Sequence, residues 1–135
     1  MVAATLAEPG VKPVTDRDEV AVIVKAVVRV MEAWSLSNDE AAALFDVAPA
    51  TWGRMKSGTF NGNLDRDKVT RASLIVGTYK GLRLLFNGPL THGWPAAPNR
   101  GEPYQGRRPV DYMIEGGIPA MAEVRQHIDA LRGGV

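Results

Sequence analysis

The chain has 135 residues, 45% of them hydrophobic, with 16 basic and 15 acidic side chains and no cysteine. That length accommodates one domain, or two small ones sharing a core. The lack of cysteine excludes disulfides, thiolate metal sites and a cysteine nucleophile, and no apolar run approaches the about 18 residues of a membrane span, so a cytoplasmic chain without membrane contact is expected.

Residues 1–15 are expected to be a flexible tail, because their order is not the basic start and apolar centre of a secretory signal. A first helix is predicted from about Asp16 to Trp34, where Val20, Ile23, Val24, Val27, Val28 and Met31 recur at spacings of three and four. Asp16 with Glu19 resembles a capping box. The valine content makes a strand the rival reading, but length and period favour helix. Ser37 caps the next helix, with Asp39 and Glu40 in its first turn and its end near Phe45. Pro49 suits the first turn of the helix that follows, and Gly58 stops it.

After a turn at Thr59 to Asn63, Asn63 or Asp65 caps a long helix reaching about Phe86. Its expected buried face is Val69, Ala72, Val76, Tyr79, Leu82 and Phe86, and Arg66, Lys68, Arg71, Lys80 and Arg83 are expected to form a solvated face. Asn87-Gly88-Pro89 ends it. Residues 87–108 are expected to be an ordered loop anchored by Trp94 and Tyr104, since large aromatics seek burial. A short helix is predicted from Pro109 to Glu115, stopped by Gly116-Gly117. The last helix begins at Ile118-Pro119 and runs to about Arg132, with Met121, Val124, Ile128 and Leu131 on one face. The predicted architecture is all-α.

Within this order, Ser37 to Gly58 reads as a helix-turn-helix. Ala42 sits where two helices approach closely and a small side chain is needed. Asp46, four residues on, sits where the turn needs a left-handed backbone; Gly is usual there, and Asp is among the few alternatives. Trp52, ten residues after Ala42, locks the second helix onto the first and is assigned to the core. This geometry presents the second helix to a DNA major groove. The candidates for contact are Ala48, Ala50, Thr51, Arg54 and Lys56, with Thr51 reaching a base edge or a phosphate and Arg54 reading guanine or binding phosphate. Met55 fits either core or surface, and the whole pattern also fits a helical hairpin that merely packs. Charge bears on the choice. Residues 1–60 hold 6 basic and 8 acidic side chains, and residues 61–135 hold 10 and 7, so the balance moves from −2 to +3. The helix-turn-helix lies in the acidic half, which counts against strong binding by a monomer because phosphate neutralisation supplies much of the affinity.

Constellations for catalysis are sparse. His92 and His127 stand in different elements, neither with a ligand-spaced partner, and there is no Gly-rich phosphate loop and no arrangement of nucleophile and base. No enzymatic activity, metal or cofactor is expected.

The second half carries a further pattern. It starts at Leu64-Asp65-Arg66-Asp67, passes Leu84-Leu85-Phe86, Trp94 and Pro98-Asn99, then Gly106, Pro109 and Gly116-Gly117, and closes with Val124-Arg125 and Leu131-Arg132-Gly133-Gly134. In joint order, behind a helix-turn-helix, these motifs resemble the Xre/MbcA/ParS antitoxin family over about residues 60–135, and the upstream part matches that family's Xre-like N-terminal region. The resemblance implies a division into the tail (1–15), an Xre-like helix-turn-helix domain (16–60) and a small helical toxin-binding domain (61–135). It implies an antitoxin of a type II toxin–antitoxin pair that binds a RES-domain toxin, an NAD-consuming enzyme, and covers its NAD pocket. It also implies repression of its own operon at operator DNA. The C-terminal end lies near that pocket in the family, which points to Arg125, Arg132, Gly133 and Gly134 as toxin-binding residues. Trp94, Pro98 and Asn99 match as loop-shaping residues, with Asn99 satisfying backbone groups of its own loop. A homodimer, or a higher hetero-oligomer with the toxin, is the expected assembly, because a dimer doubles the phosphate contacts and reads two half-sites about one helical turn apart. The alternative is a stand-alone helix-turn-helix regulator whose C-terminal half dimerises.

Overall fold

The computed structural model describes residues 10–133, and the regular elements among them are helices. Helix α1 spans Arg17–Ala33; Asp16 Oδ2 accepts from the Glu19 amide at 3.0 Å, which is half of the capping box. Helix α2 spans Asn38–Phe45 and has the whole box: Ser37 Oγ accepts from the Glu40 amide at 3.1 Å, and Glu40 Oε1 accepts from the Ser37 amide at 2.9 Å. Helix α3 spans Pro49–Ser57 and stops at Gly58, whose φ of 80° a side chain would resist. Helix α4 spans Arg66–Leu85, with Asp65 rather than Asn63 as its cap. A single turn, α5, covers Leu90–Gly93 and runs into a 3-10 turn at Trp94–Ala96.

Helix α6 spans Pro109–Leu131, and its two parts are the two helices expected there. Gly117 breaks it with φ 68° and ψ −152°, and Pro119, lacking an amide, opens the second part. Before α1, Val14 pairs with Leu64 just ahead of α4, exchanging backbone hydrogen bonds of 2.8 and 2.9 Å.

All the long helices feed one core, with Trp34, Phe45, Trp52, Ile75, Met121 and Ile128 among its most buried side chains. The inner face of α1 is the expected one except that Ile23 is half-buried and Val30 joins the buried side. That of α4 is not. Its buried residues are Thr70, Ala72, Ile75, Thr78, Gly81 and Leu82, whereas Val69, Val76, Tyr79 and Phe86 are only half-buried at its flanks. The reason is the close approach of α6. A Cβ on Gly81 would stand 2.7 Å from Ile128 Cγ2, so small and polar residues (Thr70, Thr78, Gly81), which hydrophobic periodicity does not register, sit between Ile75 and Leu82 on the buried face. Leu131 also departs from expectation, being 51% exposed, because it is the last residue of α6 and no described element folds over it.

Residues 87–108 are ordered around Tyr104, which is fully buried and packs edge-on against Trp94 at 5.7 Å and Tyr112 at 5.6 Å. Its hydroxyl shares a 3.0 Å hydrogen bond with His127 Nδ1, and burial pushes its phenol pKa well up. Asn99 Oδ1 accepts from the Gly101 amide at 2.9 Å, the local role expected of it.

Candidate nucleic-acid interface

Helices α2 and α3 meet through Ala42, Phe45 and Trp52, all buried, with the two rings edge-on at 6.3 Å. Between them Asp46 takes the left-handed conformation, φ 58° and ψ 53°, and the Val47 amide bonds the Ala42 carbonyl at 2.9 Å to close α2. The turn is therefore the one the residue pattern predicts.

What holds that turn comes from α4. Lys68 Nζ and Arg71 Nη2 approach Asp46 Oδ2 at 3.9 and 3.8 Å, and the same two side chains bind Asp67 Oδ2 at 2.8 and 2.9 Å. Arg71 Nη1 also donates to the Leu44 carbonyl at 3.0 Å. Burial alone raises the Asp67 pKa, but the hydrogen bonds and charges of Lys68 and Arg71 outweigh it and hold the carboxyl below its ordinary value. Lys68 and Arg71 are thus no solvated face: their side chains are 16% and 11% exposed, with aliphatic stems covered and heads turned onto the turn. Arg66, Lys80 and Arg83 are exposed as expected.

Of the five residues singled out for DNA contact, Ala48, Ala50, Arg54 and Lys56 are exposed and Thr51 is half-buried. Trp52 and Met55 face inward, so Met55 belongs to the core. Arg54 Nη2 donates to Thr51 Oγ1 at 3.2 Å, one turn back. Lys56 Nζ donates to Asn38 Oδ1 at 3.0 Å, linking the end of α3 to the start of α2. Neither cation forms an ion pair with a described residue, so both keep their charge for an anionic partner. Ala48 caps α3 without a side-chain hydrogen bond, leaving the first amides of the helix to an outside acceptor.

The residues assigned to a toxin lie elsewhere, at the end of α6. Arg125 lies over Gly77 of α4, where its Nη1 occupies the space a Cβ would take, and its Nε sits 3.4 Å from Asp129. Arg132 Nη1 binds the same Asp129 at 3.1 Å. Gly133 is exposed with φ 87°, and Gly134 lies outside the described residues. Arg108, at the start of α6, ties that helix to the start of α2. Its guanidinium holds both oxygens of Asp111 at 2.8 Å and reaches Glu40 Oε2, in the α2 capping box, at 2.6 Å. The hydrogen bond from Arg108 is the main cause that lowers the pKa of both carboxyls.

Sequence reasoning missed Asn38, Arg108 and the turn-holding role of Lys68 and Arg71. The Asp67–Arg71 pair, four apart on one helix, was a readable signal; the reach to Leu44 and Asp46 was not.

The family model of the antitoxin Xre-like helix-turn-helix domain matches residues 14–77. That span opens at the Val14–Leu64 pairing and includes the part of α4 that holds the turn. Over 126 residues the chain is 32% identical to the uncharacterized protein y4oB of Sinorhizobium fredii, covering 93% of this chain and 95% of that protein. No solved structure matches the chain.

Proposed function

This chain belongs to the antitoxin Xre-like helix-turn-helix family, and on that premise we propose that it is the antitoxin of a type II toxin–antitoxin pair. It represses its own operon through α3 and neutralises a RES-domain, NAD-consuming toxin by covering that enzyme's NAD pocket. The chain acts by binding and not by catalysis. The DNA role falls to residues 16–60 and the toxin role to residues 61–135.

The observation that carries the DNA arm is the exposed face of α3, where Ala48, Ala50, Arg54 and Lys56 stand beside free amides in the segment the family match covers. Arg54 and Lys56 there read base edges or bind phosphates. The toxin arm is supported by the order of motifs from Leu64 to Gly134 and by the exposed last turn of α6 with Leu131, Arg132 and Gly133. Arg125 and Arg132 supply its positive charge, and Gly133 and Gly134 allow close approach to the pocket.

Co-expression with the product of the adjacent gene tests this reading. Rescue of growth and of cellular NAD, with co-purification of the two proteins, is expected. The arms separate in variants. Arg132→Glu with residues 133–135 removed should abolish neutralisation and leave operator binding, whereas Arg54→Glu with Lys56→Glu should do the reverse. Absence of both complex and rescue would overturn the toxin arm for that neighbour. It would leave the second reading, a stand-alone regulator whose second half dimerises, with which the helix-turn-helix at residues 14–77 is equally compatible.

A further inference from the structure

We propose that the groove between α1 and the end of α3 binds a free medium-chain aliphatic carboxylate, and that this ligand weakens the hold of α3 on its operator. The groove has a volume of about 340 Å³. Its floor is apolar: Val20, Val24 and Val28 of α1 and Met55 of α3 are buried, and the half-buried ring of Phe60 lines it beside them. Each wall carries one exposed lysine, Lys25 on α1 and Lys56 on α3, and no carboxylate lines the groove. Neither lysine forms an ion pair with a described residue, and Lys56 donates only to the neutral Asn38. Charge elsewhere on α1 does not cancel theirs. Arg17 stands beside Asp18 at one end and Arg29 precedes Glu32 at the other, so each end is balanced, and Glu19 lies on the opposite side of the helix from Val28.

These features select the chemistry of the ligand. The valines and Met55 offer apolar surface that gains from being covered, and two unpaired ammonium groups call for one anionic head. Size narrows the choice. At roughly 30 Å³ per water-sized group, 340 Å³ takes about eleven groups, which suits octanoate and is too little for a helix or strand of another protein. Val20 to Val28 covers about 12 Å along α1, the reach of one extended octanoate. A nucleic acid has no apolar body to bury here. Met55 and Phe60 also wall a second hollow of about 360 Å³, shared with Thr51, so the floor has room to yield. The consequence for α3 is electrostatic. Lys56 is one of the two cations that α3 offers to DNA, and a carboxylate seated on it removes one phosphate contact.

The regulatory part rests on the operator reading; the site itself does not. Isothermal titration of octanoate into the full chain, without DNA or toxin, tests the site. One octanoate per chain is expected, with a Kd below about 1 mM. Octanol and acetate should each bind about tenfold more weakly or worse, because each lacks one half of what the groove recognises. Lys25→Glu, and Ala21→Phe, whose ring fills the groove from its exposed lip, should each weaken octanoate by about tenfold or more. Both residues are exposed, so circular dichroism should show both variants folded. Fluorescence anisotropy on the operator tests the regulation. Saturating octanoate should weaken operator binding about fivefold at about 0.15 M salt, the worth of one phosphate contact, and should leave the Ala21→Phe variant unmoved. No saturable binding of octanoate, equal binding of octanol or acetate, unchanged affinity in both variants, or capture of the chain by phosphatidylglycerol vesicles in preference to free octanoate would each overturn the site. Octanoate that binds but leaves operator affinity unchanged would overturn the regulation. A chain that binds octanoate and no operator would uphold the site and count against the operator reading alone.

Discussion

Replacing Arg71 with alanine should destabilise the protein by about 3 kcal/mol, more than any other single substitution of a basic residue on α4. The side chain makes two charge-assisted hydrogen bonds, to Asp67 Oδ2 at 2.9 Å and to the Leu44 carbonyl at 3.0 Å, and is 11% exposed. Each such bond contributes about 1.5–3 kcal/mol. The Asp67 bond lies at the lower end, because Lys68 remains on that carboxylate. The Leu44 bond lies at the upper end. That carbonyl is in the last turn of α2, where no following amide serves it, and removal of Arg71 leaves it without a partner. The two losses share one side chain and add incompletely, so about 2–4 kcal/mol is the range. For a chain of this size that is a fall in Tm of about 10 °C. Urea titration followed by far-ultraviolet circular dichroism measures it, with Arg66→Ala, on the exposed side of the same helix, as the control expected within about 0.5 kcal/mol of wild type. Arg71→Lys should lie between, since one ammonium cannot serve Asp67 and Leu44 together. A loss below about 0.5 kcal/mol for Arg71→Ala would refute the claim that α4 holds the helix-turn-helix turn.

Gly81→Ala should destabilise by about 1–2 kcal/mol, because its Cβ would stand 2.7 Å from the buried Cγ2 of Ile128 and must part α4 from α6. Gly77→Ala meets only the movable end of Arg125, so the gain in helix propensity, about 1 kcal/mol, should leave the urea midpoint unchanged or raised. Acid should weaken the fold in a defined direction. The hydrogen bonds of Arg108 lower the pKa of Glu40 and Asp111 in the folded state, so the unfolded chain takes up protons first as pH falls. The stabilisation is fully present above the ordinary carboxylate range of about 4 and disappears as pH drops through the lowered folded values. Urea midpoints compared at neutral and acid pH should show the loss, and Arg108→Met should reduce it. Finally, Arg54→Ala should weaken operator binding by about 1–3 kcal/mol, read by fluorescence anisotropy at fixed salt. Its urea midpoint should not move, since Arg54 is exposed and bonds only Thr51 one turn away.

Local chemistry was legible from the chain alone. Caps at Asp16, Ser37 and Asp65, the stop at Gly58, the left-handed Asp46, the break at Gly116-Gly117 and most of the inward faces of α1 and, Leu131 apart, of the second part of α6 rest on contacts within a few residues. The same locality made the exposed face of α3 readable, because the inward Trp52 leaves its opposite side to solvent. Tertiary structure decided what distant segments do to one another. It turned Lys68 and Arg71 inward, because their partners Leu44 and Asp46 lie more than twenty positions earlier and reach them only after α2 packs on α4. It joined Arg108 to Glu40 across 68 residues. It also put Gly81, Thr70 and Thr78 on the buried face of α4 and left Val69, Val76, Tyr79 and Phe86 at the flanks, since the distance between two helices, not hydrophobicity along one, sets which side chains fit between them.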